Sequence, residues 1–333
     1  MRENEMSRAR QRHGLDLYVA AVEPIVNVAL PVFAVILCGY LAGRLGILGQ
    51  ASSEALNRYV YYFALPPLLF LAMARVPLEK ILNGSFIAAY CGGMVLAGGL
   101  ACLGAYFLFR RKGLSLTFHG FASTYSNTGY MGIPLFIAAF GEAGVLPAII
   151  ATVINSSLVV ACAVAAAELA QSAGRRIGHV AADVVLALVT NPLVIAPIAG
   201  IAVSALDLAL PRPVVTLGEL LGASASPGAL FAIGLFLVGR PIAKGTGELT
   251  WLTLFKLLVH PAATWLLIAT FFPMPPFWAS SAVLLAALPA GTLVFVIAQR
   301  YDVYAERISA AILVSTVLSV ITVSVLIARM PAP

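Results

Sequence analysis

The chain has 333 residues, of which 61% are hydrophobic and only 10% are charged, and its formal net charge is +6. In a soluble domain of this size, roughly a quarter of all residues are charged. The composition therefore excludes an ordinary water-soluble fold and indicates a protein embedded in lipid. The basic residues lie in short segments between apolar stretches and form no clustered basic face, which argues against nucleic-acid binding.

The first 22 residues form a polar N-terminal tail that contains Arg2, Arg8, Arg10 and Arg12. A secretory signal peptide would need a short apolar run and a cleavage site with small residues. The apolar run that follows this tail is long and continues as an ordinary membrane span. We predict no function for the tail.

Glycines, prolines and charges divide the remaining chain into ten predicted membrane-spanning helices. Several of these stretches carry no charged residue over the ~20 residues that a spanning helix needs. A membrane β-barrel would instead show short alternating segments. The predicted spans one to ten cover residues 23–43, 54–74, 82–109, 117–140, 144–168, 182–205, 214–238, 249–272, 277–299 and 305–328.

The two halves of the chain match each other after a shift of 161 residues. The shift superimposes Pro31 on Pro192, Gly39 on Gly200, and residues 64–70 on residues 225–231. Apolar helices also match by chance, but one constant offset at separate places favours a true repeat. Because each half holds five spans, an odd number, the second half must be inverted relative to the first. Inverted repeats are typical of alternating-access transporters.

The repeat divides the chain into consecutive parts. We predict repeat one over residues 23–170, a cytoplasmic linker over residues 171–181 and repeat two over residues 182–328. The fold class is therefore an all-α membrane protein with ten helices in two inverted five-helix repeats.

Helix-breaking residues interrupt spans four and nine. The run at 125–134 contains Gly129, Gly132 and Pro134, and the run at 288–292 contains Pro289 and Gly291. Such residues disfavour a helix interior, and in a bilayer the freed backbone groups are tolerated only beside protein or a water-lined cavity. A proline kink relieved by packing is the alternative. Breaks in matching positions of two inverted halves point instead to a transport site.

We predict that the two breaks form the binding site, because the N–H groups at one broken helix end attract anions and the carbonyl groups at the other attract cations. The Asn127 amide would donate to a substrate carboxylate. The predicted substrate-binding residues are Ser126, Asn127, Thr128, Gly129, Pro134, Pro289, Ala290, Gly291, Thr292, Asn155 and Lys256. No resident metal or other cofactor is predicted, and a coupling ion, H⁺ or Na⁺, is left open.

Lys256 lies about seven residues into span eight, where an ionisable group is a functional candidate. Either it points inward and balances a carboxylate, or it snorkels to the nearby interface. His260, one turn later, either titrates or is packed as a neutral side chain. Asn155 and Ser315, in spans five and ten, either line the pathway or join helices to each other.

Several motifs, in their order along the chain, resemble those of the auxin efflux carrier (AEC) family. They are Pro-Val-Phe…Gly-Tyr-Leu-x-Gly-Arg at 31–44, Leu-Pro-Pro-Leu-Leu-Phe at 65–70, Asn-x-Gly-x-x-Gly-x-Pro at 127–134, Asn191-Pro192, Lys256 with Pro261, and Pro289-Ala-Gly-Thr292. The resemblance covers about residues 23–328. It implies a scaffold domain of spans 1, 2, 6 and 7 and a transport domain of spans 3–5 and 8–10. It also implies that spans four and nine cross at their unwound points, as in the bile-acid sodium symporters.

The resemblance implies a secondary-active or facilitative transporter of small organic anions, such as malate, malonate or auxin-like monocarboxylates, working by elevator-type alternating access. The chain lacks the long hydrophilic loop of plant members, so a bacterial-type carrier is the better comparison. A membrane receptor or sensor with a carrier fold is the alternative. We expect no enzyme, because hydrolase and metalloprotease motifs are absent from the sequence.

We expect the protein to lie in the cell (inner) membrane. The positive-inside rule places both of its termini outside the cytoplasm. The loops after odd-numbered spans carry most of the basic residues, namely Arg44, Arg110, Arg111, Lys112, Arg175, Arg176, Arg240, Lys244 and Arg300. The arginines of the tail argue for the opposite orientation. The expected partners are a small organic anion and the lipid bilayer, and a homodimer through the scaffold domain is left open.

Overall fold

The computed structural model of the protein describes residues 25–81, 83–171, 177–240 and 246–331. Within these ranges the backbone is helical and turn-like, and β-pairing is limited to one isolated bridge. The predicted N-terminal tail and residues 172–176 of the predicted linker lie outside the described residues. The expectation of an all-α protein is confirmed.

Most α-helices of the described residues lie within the predicted spans, although several of these spans hold more than one helix. In the first half they are α1 (Leu30–Arg44), α2 (Gln50–Tyr59), α3 (Leu65–Ala74), α4 (Leu78–Ile81), α5 (Gly84–Leu108), α6 (Gly113–Thr124), α7 (Ile133–Phe140) and α8 (Leu146–Gln171). In the second half they are α9 (Ile177–Val189), α10 (Pro192–Ala205), α11 (Arg212–Ala223), α12 (Ala225–Leu237), α13 (Thr246–Leu254), α14 (His260–Thr270), α15 (Pro276–Ala287), α16 (Thr292–Arg300) and α17 (Ala305–Ile327). Wider π-helical turns occupy Ile25–Ala29, Val60–Ala64, Thr128–Gly132 and Phe255–Val259.

Six helical segments in the described residues are long and apolar enough to cross a membrane, and a seventh is gained if one bent pair counts as a single span. They lie at predicted spans one, three, five, seven, eight and ten, and the bent pair lies at span six. Helix α5, for example, has 25 residues, or about 37 Å of helix, against a hydrocarbon core of about 30 Å. The protein is therefore a multi-pass membrane protein.

Predicted span six is not one straight helix. Helix α9 begins inside the predicted linker, and α9 and α10 meet at an angle of 68°. The bend lies at Asn191, whose backbone is extended because the proline that follows disfavours the helical conformation. The Asn191 side chain then caps α10 by accepting a hydrogen bond from the Leu193 N–H at 2.9 Å. The Asn191-Pro192 pair thus starts a new helix.

Two close helix contacts relate the halves of the chain. Helix α12 packs along α1, and α10 packs along α3. A Cβ atom added at Gly39 would lie 2.1 Å from the Phe231 carbonyl oxygen, and one added at Gly200 would lie 2.3 Å from the Phe70 carbonyl oxygen. The shift of 161 residues relates Gly39 to Gly200 and Phe70 to Phe231. Only glycine permits this approach of two backbones.

We expect Gly39→Ala to lower the stability of the folded protein, because the new methyl group would push α1 away from α12. Overpacking of this kind costs about 1–3 kcal/mol. Thermal unfolding of the purified protein in detergent measures the effect. Gly49→Ala is the control, since no atom of the described residues beyond its immediate chain neighbours lies within 4 Å of the position of its Cβ. Equal unfolding temperatures of the two variants would contradict the prediction.

Candidate functional site

Two helices are broken at the centre of the protein. Helix α6 ends at Thr124, and helical structure resumes with the π-turn at Thr128–Gly132. Helix α15 ends at Ala287, and α16 begins at Thr292. The breaks lie where the sequence predicts them, and they leave two short extended segments, 125–127 and 288–291, between half-helices.

The two extended segments pair with each other. Ser126 and Ala290 form an isolated antiparallel bridge. The Asn127 N–H donates to the Pro289 carbonyl oxygen at 2.9 Å, and the Gly291 N–H donates to the Tyr125 carbonyl oxygen at 3.1 Å. Each break thus satisfies backbone groups that the other has freed, as a membrane interior requires.

Side chains from neighbouring helices hold this crossing in place. The Asn155 amide on α8 donates to the Ser126 carbonyl oxygen at 3.1 Å and to the Thr128 hydroxyl at 3.2 Å. On the other side the Ala290 N–H donates to the Ser315 hydroxyl on α17 at 3.1 Å. Asn155 and Ser315 therefore join helices to the unwound segments in both halves. Of the two interpretations that the sequence allows for these residues, the contacts support this one directly.

Asn127 has an unused hydrogen-bond donor. Only 4% of the residue is exposed, and its amide nitrogen Nδ2 has no hydrogen-bond partner among the described residues. A buried donor without a partner costs about 1–3 kcal/mol. A ligand with an acceptor oxygen would remove that cost. The Asn127 amide therefore has a donor free for a ligand among the described residues.

The crossing also brings together the N-terminal ends of two half-helices, at Thr128 and at Thr292. The residue before α16, Gly291, offers no side chain to cap its first N–H groups. The first N–H groups of a helix have no partner within the helix and carry partial positive charge. Two such ends at one place favour an anion.

Lys256 points inward. Its side chain is fully buried, and its Nζ donates to the Ala286 carbonyl oxygen at 2.6 Å and lies 3.5 Å from His260 Nδ1. The snorkelling alternative is therefore wrong. Ala286 lies at the C-terminal end of α15, where helix carbonyls carry partial negative charge and attract a cation. The same carbonyl accepts a hydrogen bond from the Ser126 hydroxyl at 3.3 Å, which links the lysine to the crossing.

Most of the predicted site residues meet at the crossing, but two lie apart from its polar groups. Gly129 faces α8, where a Cβ atom would lie 3.3 Å from a methyl group of Thr152. Pro134 is buried in the first turn of α7, beyond the π-turn, and has no described polar contact with the crossing. Its place is explained by helix formation, since a proline in the first turn loses no helical hydrogen bond.

Sequence reasoning missed a buried ionic network around Glu248, at the start of α13. Arg111 donates to both Glu248 carboxylate oxygens, from Nε at 2.8 Å and from Nη2 at 2.7 Å. The Tyr304 hydroxyl donates to the same carboxylate at 2.6 Å. The Tyr304 oxygen in turn lies 2.8 Å from His119 Nδ1, and Arg307 Nε lies 3.4 Å from Glu248. The network joins four separate parts of the chain.

The charges of this network stabilise each other. The hydrogen bond to Glu248 raises the pKa of the Arg111 guanidinium, and burial together with the Glu248 hydrogen bond raises the pKa of Tyr304. The tyrosine therefore stays protonated, and its hydroxyl donates a hydrogen bond to the carboxylate. The one sequence signal for the network is an acidic residue at the head of an apolar helix, which is a common interfacial feature.

We expect Glu248→Gln to destabilise the protein by about 3 kcal/mol, because it leaves Arg111 without its carboxylate partner. Glu219→Gln is the matched control. Glu219 pairs with Arg75 at the surface, where both side chains are about half exposed, so its loss should cost at most about 1 kcal/mol. Thermal unfolding in detergent compares the two variants. Equal losses of stability would show that the buried network stabilises the protein no more than the surface ion pair does.

The apolar helices and the buried crossing of two broken helices define a polytopic membrane carrier. The sequence profile described as "Membrane transport protein" (Mem_trans) matches residues 24–327. The chain belongs to this family, the auxin efflux carrier family, as its motifs predict. It is a membrane transporter by family.

Three relatives are similar to this chain over 70% or more of its length. A Rhizobium meliloti (strain 1021) protein provisionally named as a malonate transporter is 34% identical over 300 residues, which cover 90% of this chain and 94% of that protein. An uncharacterized transporter of Methanothermobacter thermautotrophicus is 28% identical, with 88% and 94% covered. The mouse lysosomal cholesterol signaling protein is 27% identical over 250 residues, which cover 70% of this chain and 28% of the mouse protein.

Proposed function

We propose that the protein carries small carboxylates across the membrane by alternating access, either driven by an ion gradient or by facilitated diffusion. The observation that carries the proposal is the unpartnered, buried Asn127 amide beside the N-terminal ends of two half-helices. This arrangement offers hydrogen-bond donors and partial positive charge to an anion. The Rhizobium relative named for malonate supports a short dicarboxylate as the first substrate to test.

The close helix contacts support the proposed inverted repeat of ten spans. Gly39 meets Phe231 as Gly200 meets Phe70, which is the pattern expected when two equivalent halves face each other. We propose that the helix pairs α1–α12 and α3–α10 form the scaffold domain of spans 1, 2, 6 and 7. The crossing and the Glu248 network then belong to the transport domain of spans 3–5 and 8–10.

Lys256 is a fully buried basic residue whose hydrogen bonds link it to the crossing. It holds the Ala286 carbonyl, and the Ser126 hydroxyl shares that carbonyl. In our proposal the lysine fixes the unwound end of α15 and adds a positive potential to the site, while Asn127 contacts the carboxylate. The division of roles follows from geometry, since the lysine amine already has a backbone partner and the Asn127 amide has none.

We expect Asn127→Ala to reduce malonate uptake into proteoliposomes to background, because the donor that faces the carboxylate is lost. Uptake of radiolabelled malonate by the purified, reconstituted protein measures the effect. Asn57→Ala is the matched control and should retain uptake, since among the described residues the Asn57 side chain donates only to Ser53 of its own helix.

Both variants must elute as folded protein at the same yield as the wild type. Unchanged malonate uptake by Asn127→Ala would remove that residue from the site. Uptake measured while a proton or a sodium gradient is separately collapsed identifies the coupling ion, if there is one.

We propose an inner-membrane orientation with both termini outside the cytoplasm, supported by the basic loops after odd-numbered spans. Arg175, Arg176 and Lys244 of these loops lie outside the described residues. In a chain without its four native cysteines, Lys112→Cys should react with a membrane-impermeant thiol reagent only after the cells are permeabilised. Arg212→Cys, in an opposite loop, should react in intact cells. The reverse pattern would invert the topology.

A solute sensor is the second candidate, because the mouse relative is named for cholesterol signaling. A sensor binds its solute without moving it. Binding of radiolabelled malonate to the protein in detergent, without uptake into proteoliposomes, would favour that function. A homodimer through the scaffold domain remains a separate expectation, measured by the mass of the protein in detergent.

A further inference from the structure

A cavity of about 290 Å³ lies where α1 and α12 end and α2 begins. Its lining includes Gln50, Ser53, Phe236 and Arg240, none of which is among the predicted site residues. The volume is well above the ~30 Å³ that one water molecule occupies in the liquid, so a small organic ion fits. Both loops at the cavity follow odd-numbered spans, on the side that the orientation above assigns to the cytoplasm.

Arg240 lies in this lining with much of its hydrogen-bonding capacity free. Its guanidinium stacks on the rings of Phe236 and Phe295, with Cζ 4.3 Å and 4.8 Å from their centroids, and its Nε donates to the Phe236 carbonyl oxygen at 3.1 Å. No carboxylate pairs with it in the part of the chain that the structure describes. The two terminal nitrogens form the fork that binds carboxylates in proteins.

Arg240 also connects the cavity to the crossing. Phe295 lies on α16 three residues after Thr292, which is about 4.5 Å along the helix axis. The Phe236 and Phe295 rings contact each other with centroids 5.1 Å apart. Through its stacking on Phe295, Arg240 therefore contacts α16 within one helical turn of the end that starts at the crossing.

The positions of the other half that correspond to this lining make a hydrogen bond and an ion pair instead. The shift of 161 residues relates Gly43 in the cavity lining to Ser204, and Phe236 to Arg75. The Ser204 hydroxyl donates to the Val76 carbonyl oxygen at 2.7 Å, and Arg75 is paired with Glu219. An arginine without a carboxylate partner is thus found at the cavity end, whereas the arginine at the opposite end is already neutralised.

We propose that this cavity is a second carboxylate site, in which Arg240 holds a small organic anion on its way between the cytoplasm and the crossing. The Arg240 fork supplies charge-assisted hydrogen bonds, and Gln50 and Ser53 supply neutral ones. The inference rests on the proposed function, since it assigns an entry site to the same substrate class.

Uptake of radiolabelled malonate into proteoliposomes, measured over a range of malonate concentrations, tests the site. Arg240→Gln raises KM about tenfold, the loss expected for one hydrogen bond to a charged group, and leaves the rate at saturation near the wild-type value. Arg240→Lys keeps the charge without the fork and gives an intermediate KM. Arg44→Gln, which removes an exposed arginine outside the cavity lining, leaves KM unchanged.

A second readout does not depend on transport. Ser53→Cys, in a chain whose four native cysteines are replaced by alanine, places a thiol in the cavity. Malonate slows modification of that thiol by an anionic thiol reagent, and adding Arg240→Gln abolishes this protection.

The outcomes separate the two proposals. Protection of the thiol without any malonate uptake supports the cavity site and overturns the proposed transport of malonate. Wild-type uptake with an unchanged KM in Arg240→Gln, or a thiol that malonate does not protect, overturns the cavity site and leaves the proposed function standing.

Discussion

The structure depends on the pairing of two unwound backbone segments inside the membrane. A backbone N–H or carbonyl group without a partner is costly in hydrocarbon, so a helix can open there only if another element receives its hydrogen bonds. Here the other element is the second opened helix, through the Asn127 and Gly291 N–H groups. Neither break would be stable alone. This mutual dependence explains why both segments lie together, enclosed by Asn155 on one side and Ser315 on the other.

The breaks themselves could be predicted, because glycine and proline act on the local backbone. Gly129, Pro134, Pro289 and Gly291 are visible in the sequence, and their physical effect does not depend on the rest of the fold. The Asn191-Pro192 bend follows the same local rule, since the residue before a proline is pushed toward extended structure.

Interactions between distant parts of the chain could not be predicted in the same way. Whether Lys256 points inward or toward lipid depends on how its helix is rotated about its axis, and packing against distant parts of the chain fixes that rotation. The Glu248 network is a stronger example. Arg111 and Glu248 are separated by 137 residues, and only the packed helices bring them together. A single sequence carries no signal for such a pair.

The contacts at Gly39 and Gly200 have a mechanical consequence. Each is an approach of one backbone to another, so the spacing between the helices is set by atoms that have no rotamers to change. A sliding motion between α1 and α12 would drive the Phe231 carbonyl oxygen into the backbone of α1. The interfaces lined by longer side chains, such as Phe236 against Phe295, yield more easily because rings can reorient. Motion between helices is therefore easiest where aromatic side chains line the interface, and it is most restricted where glycines bring two backbones together.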